Sequence, residues 1–372
     1  MEHRRYPGHN HWFYESQTSP RNSQAAPLVP EAAHIDDRFL LGLQQETSAL
    51  QSLLLDNQPS LLAARDLSQL LFPDSSAPTL THTLTLYDRL STALTVAQVT
   101  GVQRLCNHYS ARLNPLPGPD SSRESNNRLT QITQYARQLA MQPEVINAAS
   151  ITALDAVGLT EPDIVTLNQL IGFVCYQARV VAGIHALQGL PVRWLPGITP
   201  PPDADSRGFG QPPSWQPTLK PLELRYASAE QLAAITFCQP ITELTDAVWV
   251  LAHDPAALYG WATLNQRLEP NPSTRLAQAA SARILGSRWA FQHNFPDDAL
   301  IASVDEAELS EEQQQIVTLA AQLTRTPERF SAAQLQPLLS REWEQPALFN
   351  LIQAVALSNW NSRLYFALGE AR

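Results

Sequence analysis

Two stretches set the strongest constraint on what this chain can fold into: QLIGFVCYQAR, from Gln169 to Arg179, and QAVALSNWNSR, from Gln353 to Arg363. Each reads Gln, six residues, an aromatic, an amide, one residue, Arg. At 3.6 residues per turn, Gln169, Phe173, Tyr176 and Val180 share one helical stripe, and so do Gln353, Leu357, Trp360 and Leu364. The offset is 184 positions. Gly101 in VTGVQRLCNH and Gly286 in ILGSRWAFQH repeat at an offset of 185. Two anchors at nearly equal offsets predict a tandem duplication of one helical domain.

The rest of the chain fits that expectation. DRFLLGLQQETSALQSLLL, PSLLAARDLSQLLF and LYDRLSTALTVAQVTGVQRLCNHYSARL carry apolar residues at three- and four-residue spacing, and strand-like alternation is scarce. Thr160, followed by Glu161, Pro162 and Asp163, is a helix-start signal. From Pro191 to Pro221 the composition turns to Pro and Gly, which excludes helix and central strand. The expected order is a polar tail over 1–37, a first helical domain over 38–190, a Pro-rich linker over 191–221 and a second helical domain over 222–372. The expected fold class is all-α.

Composition narrows the function classes. The net charge is −10 and no Lys/Arg block occurs, which argues against a nucleic-acid partner. Cys106, Cys175 and Cys238 are odd in number and far apart. That excludes a disulfide framework and a cysteine zinc site, and fits a reducing compartment. The most apolar run is interrupted by Asn168, Gln169, Gln177 and Arg179, which argues against a membrane span. The first residues lack the apolar core of a signal peptide, so the expected location is the cytoplasm. His3, His9 and His11 read as part of a mobile or partner-clasping tail, and no metal or other cofactor is expected.

LTEPDIVTLNQLIGFVCYQARVVAGIHAL and LSNWNSRLYFALGE resemble the closing helices of two branches of the carboxymuconolactone decarboxylase/alkylhydroperoxidase D-like superfamily. LAHDPAALYGWATLNQRL is similar to the helix that precedes the active-site helix in such domains. The resemblance implies two tandem all-α bundles, a peroxidase-related oxidoreductase label, and a homo-oligomer, dimer or trimer. Peroxidase members of the superfamily use a Cys-x-x-Cys pair with a Glu twelve residues before it and a His four after. One thiolate attacks the peroxide, the second cysteine resolves the sulfenic acid, and Glu and His move the proton.

Carried over by position, that set is vacant. In the second half the two Cys positions hold Ser287 and Ala290, the Glu position Arg275, and the His position Asn294, with His293 one residue early. In the first half they hold Val102, Leu105, Leu90 and Tyr109. Cys106 lies one residue past a vacant position, with His108 two residues later. Cys106 is therefore either a small buried hydrophobe or a single peroxidatic cysteine assisted by His108. Residues two apart on a helix point about 200° apart, which separates the two unless the helix ends there. Arg275, Ser287, Trp289 and His293 are the candidates for a redirected pocket, with Gln169, Tyr176, Gln353 and Trp360 lining it or serving the core. Two functions stay open: peroxidase-related redox chemistry, or small-molecule binding or oligomeric partnering on a scaffold that has lost its thiols. Acid–base chemistry of the decarboxylase kind ranks last, because no carboxylate lies on the Ser287 helix between Arg275 and His293.

Overall fold

Helix boundaries follow from local punctuation. Thr85, Thr160, Ser228, Asn271 and Ser310 each accept the backbone N–H of the third residue on, and that residue's side chain bonds back. Each reciprocal cap satisfies two donors that a helix start leaves orphaned. The computed structural model describes residues 35, 37–45, 50–190, 192, 199–211, 214–241, 247–294 and 298–371. His3, His9 and His11 lie outside the described residues.

The first half contains α1 (Gln51–Asp56), α2 (Gln58–Leu71), α3 (Leu86–Thr100), α4 (Gln103–Leu113), α5 (Arg123–Met141), α6 (Ala148–Asp155) and α7 (Glu161–Leu187). The second contains α8 (Ala229–Cys238), α9 (Val248–Leu251), α10 (Pro255–Arg267), α11 (Pro272–Leu285), α12 (Arg288–Asn294), α13 (Ala299–Ala302), α14 (Glu311–Arg325), α15 (Ala332–Leu339) and α16 (Gln345–Leu368). A short antiparallel ribbon pairs β1 (Trp215–Pro217) with β2 (Gly369–Ala371), Trp215 opposite Ala371. Apart from that ribbon, the described chain is all-α.

Element order recurs between the halves. α3 and α11 both end on a left-handed glycine, Gly101 at φ 74° and Gly286 at φ 86°. A single 3-10 turn follows α5 at Pro143–Val145 and α14 at Pro327–Arg329. The next helices start at Ala148 and Ala332, and the closing helices at Glu161 and Gln345. The glycines are 185 positions apart, and the 3-10 turns and the starts of the two following helices are each separated by the 184 positions read from the closing-helix motifs.

The closing helices α7 and α16 pack on each other at two glycines. A Cβ built on Gly172 would lie 1.9 Å from Trp360 Cδ1, and one on Gly183 would lie 2.4 Å from Ile352 Cγ2. Backbone without side chain is what lets the two helices approach there. Trp360 Nε1 donates to Gln169 Oε1 at 3.1 Å, and the Trp360 ring meets Phe173 edge-on at 5.7 Å between centroids. The repeated stripes thus face each other inside one chain, and one apolar core runs continuously through both halves. α7 is the one helix among the described residues long and apolar enough to cross a membrane, and 94% of its apolar window is buried in the protein.

Two local expectations give way to backbone geometry. The apolar run after Asp37 is not one helix: Leu41 at φ 55° and Gly42 at φ 81° break it into a turn. The Ser287 helix is not continuous with the helix that carries Arg275 either. Gly286 ends α11, with the Ser287 N–H bonded back to Ala282 O at 2.9 Å, and α12 leaves in a new direction. The described part of the Pro-rich segment lies along the second half. Ala204 N bonds Ile284 O, Thr218 N bonds Leu368 O, and the buried Phe209 packs on Phe291.

Gly172→Ala is expected to destabilise the protein by about 2–3 kcal/mol, since the new methyl has only the Trp360 ring to displace. Urea unfolding of both proteins measures it, and the same change at the unobstructed Gly118 should be nearly neutral.

Candidate functional site

The break at Gly286 opens a cleft. Ser287, Arg288 and Trp289, at the start of α12, form one wall with Gly286. Tyr365, Phe366 and Ala367 from the last turn of α16, and Trp215 of β1, form another. Glu144, Ile146 and Asn147, from the turn after α5 in the first half, close the third. The cleft encloses about 400 Å³, within the range of small-molecule sites.

Its walls are fixed from behind. Trp215 Nε1 donates to Tyr365 O at 2.9 Å, so the indole is held while the ribbon carries its backbone. Gly369 lies under that ring: a Cβ there would sit 2.0 Å from Trp215 Cε2. Glu144 Oε1 accepts from Gln142 Nε2 at 2.8 Å. His293 stacks on Trp289, 4.1 Å between ring centroids, and its Nδ1 lies 2.8 Å from Trp289 O. Aromatic surface with a few polar groups can hold a flat apolar body and orient a polar edge.

The pocket candidates therefore divide. Ser287 and Trp289 line the cleft, and His293 buttresses Trp289 from the exposed side. Arg275 is exposed on the first turn of α11, which ends in the glycine turn leading to Ser287. The other four belong to the seam between the halves. Gln169 accepts from Trp360, and Tyr176 stacks on Phe39 at 5.4 Å and an interplanar angle of 19°. Gln353 Nε2 donates to Asn57 Oδ1 at 3.3 Å.

Cys106 and His108 sit on α4, which runs unbroken past both, so they point to different sides of the helix. Both are buried. Burial pushes the Cys106 thiol up to about 12 and the Cys238 thiol up to about 11, away from the thiolate that attacks peroxides. Cys175 is wholly enclosed in α7. His108 is buried without a hydrogen-bond partner on either ring nitrogen. Burial first, then the charges of Arg112 and Arg38, push it down to about 3, so it is neutral near pH 7. No group of three His, Cys, Asp or Glu among the described residues could hold a metal ion.

Several cleft residues carried no readable signal. Trp215 lies in the Pro-rich segment, and Glu144 and Asn147 belong to the other half; only the chain path brings them to Ser287. Arg288 and Phe366 were legible only as neighbours of Ser287 and of the closing-helix motif. Neither known family models nor curated proteins match this sequence.

Two outcomes follow. Native protein at pH 8 should leave all three thiols unmodified by Ellman's reagent over minutes, and all three should react in denaturant. His108 should also make stability fall on acidification. Its folded value of about 3 lies below the ordinary 6.5, so between those values the unfolded chain binds a proton that the folded chain does not. The loss should approach ~1.4 kcal/mol per pH unit at its steepest. His108→Phe should flatten that part of the profile, read from unfolding curves at pH 7 and pH 5.

Proposed function

We propose that this chain is a small-molecule-binding protein whose site is the aromatic cleft at Ser287, and that it is not a thiol peroxidase. One observation carries the reading: the cleft stands at Ser287, where the resemblance would put a cysteine, with Ser287 and Trp289 in its wall and no thiol among its lining residues. Tandem alkylhydroperoxidase D-like bundles remain the reading of the two halves, supported by the repeated glycine turns and closing helices. In that reading the second-half site has exchanged redox chemistry for binding. The ligand is a small flat molecule with an apolar body, held between Trp289, Trp215 and Phe366, and a polar edge toward Ser287, Asn147 or Arg288.

The thiol reading has less to stand on. A peroxidatic cysteine needs an accessible thiolate beside a proton carrier. Cys106 is buried, raised and turned away from His108. Self-association also loses its obvious surface, because the repeated stripes cover each other within one chain.

Anilinonaphthalene sulfonate, a flat apolar dye with one charged edge, provides the test. The folded protein should bind it saturably with quenching of tryptophan emission, and Trp289→Ala should weaken binding at least about tenfold while leaving the melting temperature near wild type. Binding that is absent, or unchanged in Trp289→Ala, would overturn the cleft. Hydroperoxide reduction with a dithiol that disappears in Cys106→Ser would restore the peroxidase reading instead.

A further inference from the structure

The walls of the aromatic cleft carry a sign of charge as well as a shape. Among the described residues that line it, Glu144 is the one acid and Arg288 the one base. Glu144 keeps its charge toward solvent: Oε1 accepts from Gln142 Nε2 at 2.8 Å, and the carboxylate forms no salt bridge among the described residues. Arg288 is drawn to the connecting segment. A Cβ built on Gly208 would sit 2.4 Å from Arg288 Nη1 and 3.3 Å from Cζ, so the guanidinium lies on that backbone. Gly208 is not part of the cleft wall.

Helix ends add to the negative side. α11, of 14 residues, stops at Gly286, and α16, of 24 residues, carries Tyr365, Phe366 and Ala367 in its last turn. The negative ends of both dipoles therefore meet at the cleft. The opposing positive end belongs to α12, which has seven residues. Aromatic surface stands beside this charge. Phe366 Cε2 lies 3.5 Å, and Glu144 Cβ 3.8 Å, from the same Cβ built on Gly286, so ring and carboxylate stem flank one glycine. Trp215 backs onto Gly369, and His293 stacks on one face of Trp289, which leaves each indole its other face for the cleft.

Aromatic faces carry negative charge density, and a carboxylate beside them favours a cation with an apolar surface. A bare metal ion would find a single carboxylate here, and no group of three metal-ligating side chains occurs among the described residues. An alkylated ammonium needs no such donor set and presents its methyl groups to the rings. Resting on the cleft reading above, we propose that the ligand is an organic cation, an alkylated ammonium whose charged group sits among Glu144, Phe366 and the two tryptophans. A hydroxyl or carbonyl elsewhere on the molecule then meets Ser287 or Asn147.

The probe is para-hydroxyphenyltrimethylammonium, paired with para-tert-butylphenol, which has the same shape and no charge. Each is titrated against protein-bound anilinonaphthalene sulfonate. The cation should displace the dye at about fivefold lower concentration than the neutral molecule, and added salt should narrow the gap. Glu144→Gln removes the charge while keeping the shape and an acceptor for Gln142. It should weaken the cation severalfold and tighten the dye, whose sulfonate no longer meets a carboxylate. Dye that binds wild type but is displaced equally by both molecules would overturn the cation and leave the cleft reading standing. So would a Glu144→Gln protein that holds the cation as tightly as wild type, or one in which cation and dye weaken together, because lost shape and not lost charge would then be the cause. A wild type that binds neither dye nor cation would overturn both readings.

Discussion

The structure depends on where two buried arginines find their acceptors. A guanidinium out of water is costly unless its N–H groups are met. Arg179 of the first half meets the last carbonyls of α14 in the second, and Arg363 of the second meets the last carbonyls of α5 in the first. Neither half can satisfy its own arginine in this way. Each also satisfies helix-end carbonyls that would otherwise lack partners. The exchange ties the halves to each other just before the two 3-10 turns, Pro143–Val145 and Pro327–Arg329.

That pairing determines the site. Glu144 follows α5, and the pairing of the halves carries it to Gly286, where a Cβ would stand 3.8 Å from its own Cβ. Glu328 stands correspondingly over Gly101, 3.0 Å from the equivalent built Cβ. The first half thus supplies a wall of the aromatic cleft in the second. On the other side Glu328 itself stands closest to the glycine turn, whereas at Gly286 the closest side chain is Ala204 of the connecting segment. The two halves repeat in order and differ in what they enclose.

Much of the fold was legible. The stripe of Gln169, Phe173 and Tyr176 and its copy at Gln353, Leu357 and Trp360 marked the two closing helices, because a 3.6-residue period is a property of local sequence. Thr160 and its acidic first turn marked the start of α7 for the same reason. Less of the site was legible. Ser287 and Trp289 could be singled out by counting from Gly286, yet Gln169, Gln353, Tyr176 and Trp360 proved to serve the seam. A buried polar side chain on an apolar face reads alike whether it meets a ligand or another helix. Arg275 and His293 stand on two different helices, separated by the left-handed turn at Gly286, which residue identity alone does not place.

Sequence alone determined the helical class, the repeated closing-helix motifs and their spacing, and three scattered cysteines without a Cys-x-x-Cys pair. These rest on residue identity and short-range periodicity, which the chain carries with it. Tertiary structure decided the rest: that the repeated stripes face each other, that Trp215 reaches the Ser287 cleft, and that Cys106 and His108 are each buried without the other. Those outcomes depend on which distant helix ends come together. That is settled by the burial of Arg179 and Arg363 across the seam, not by any local preference.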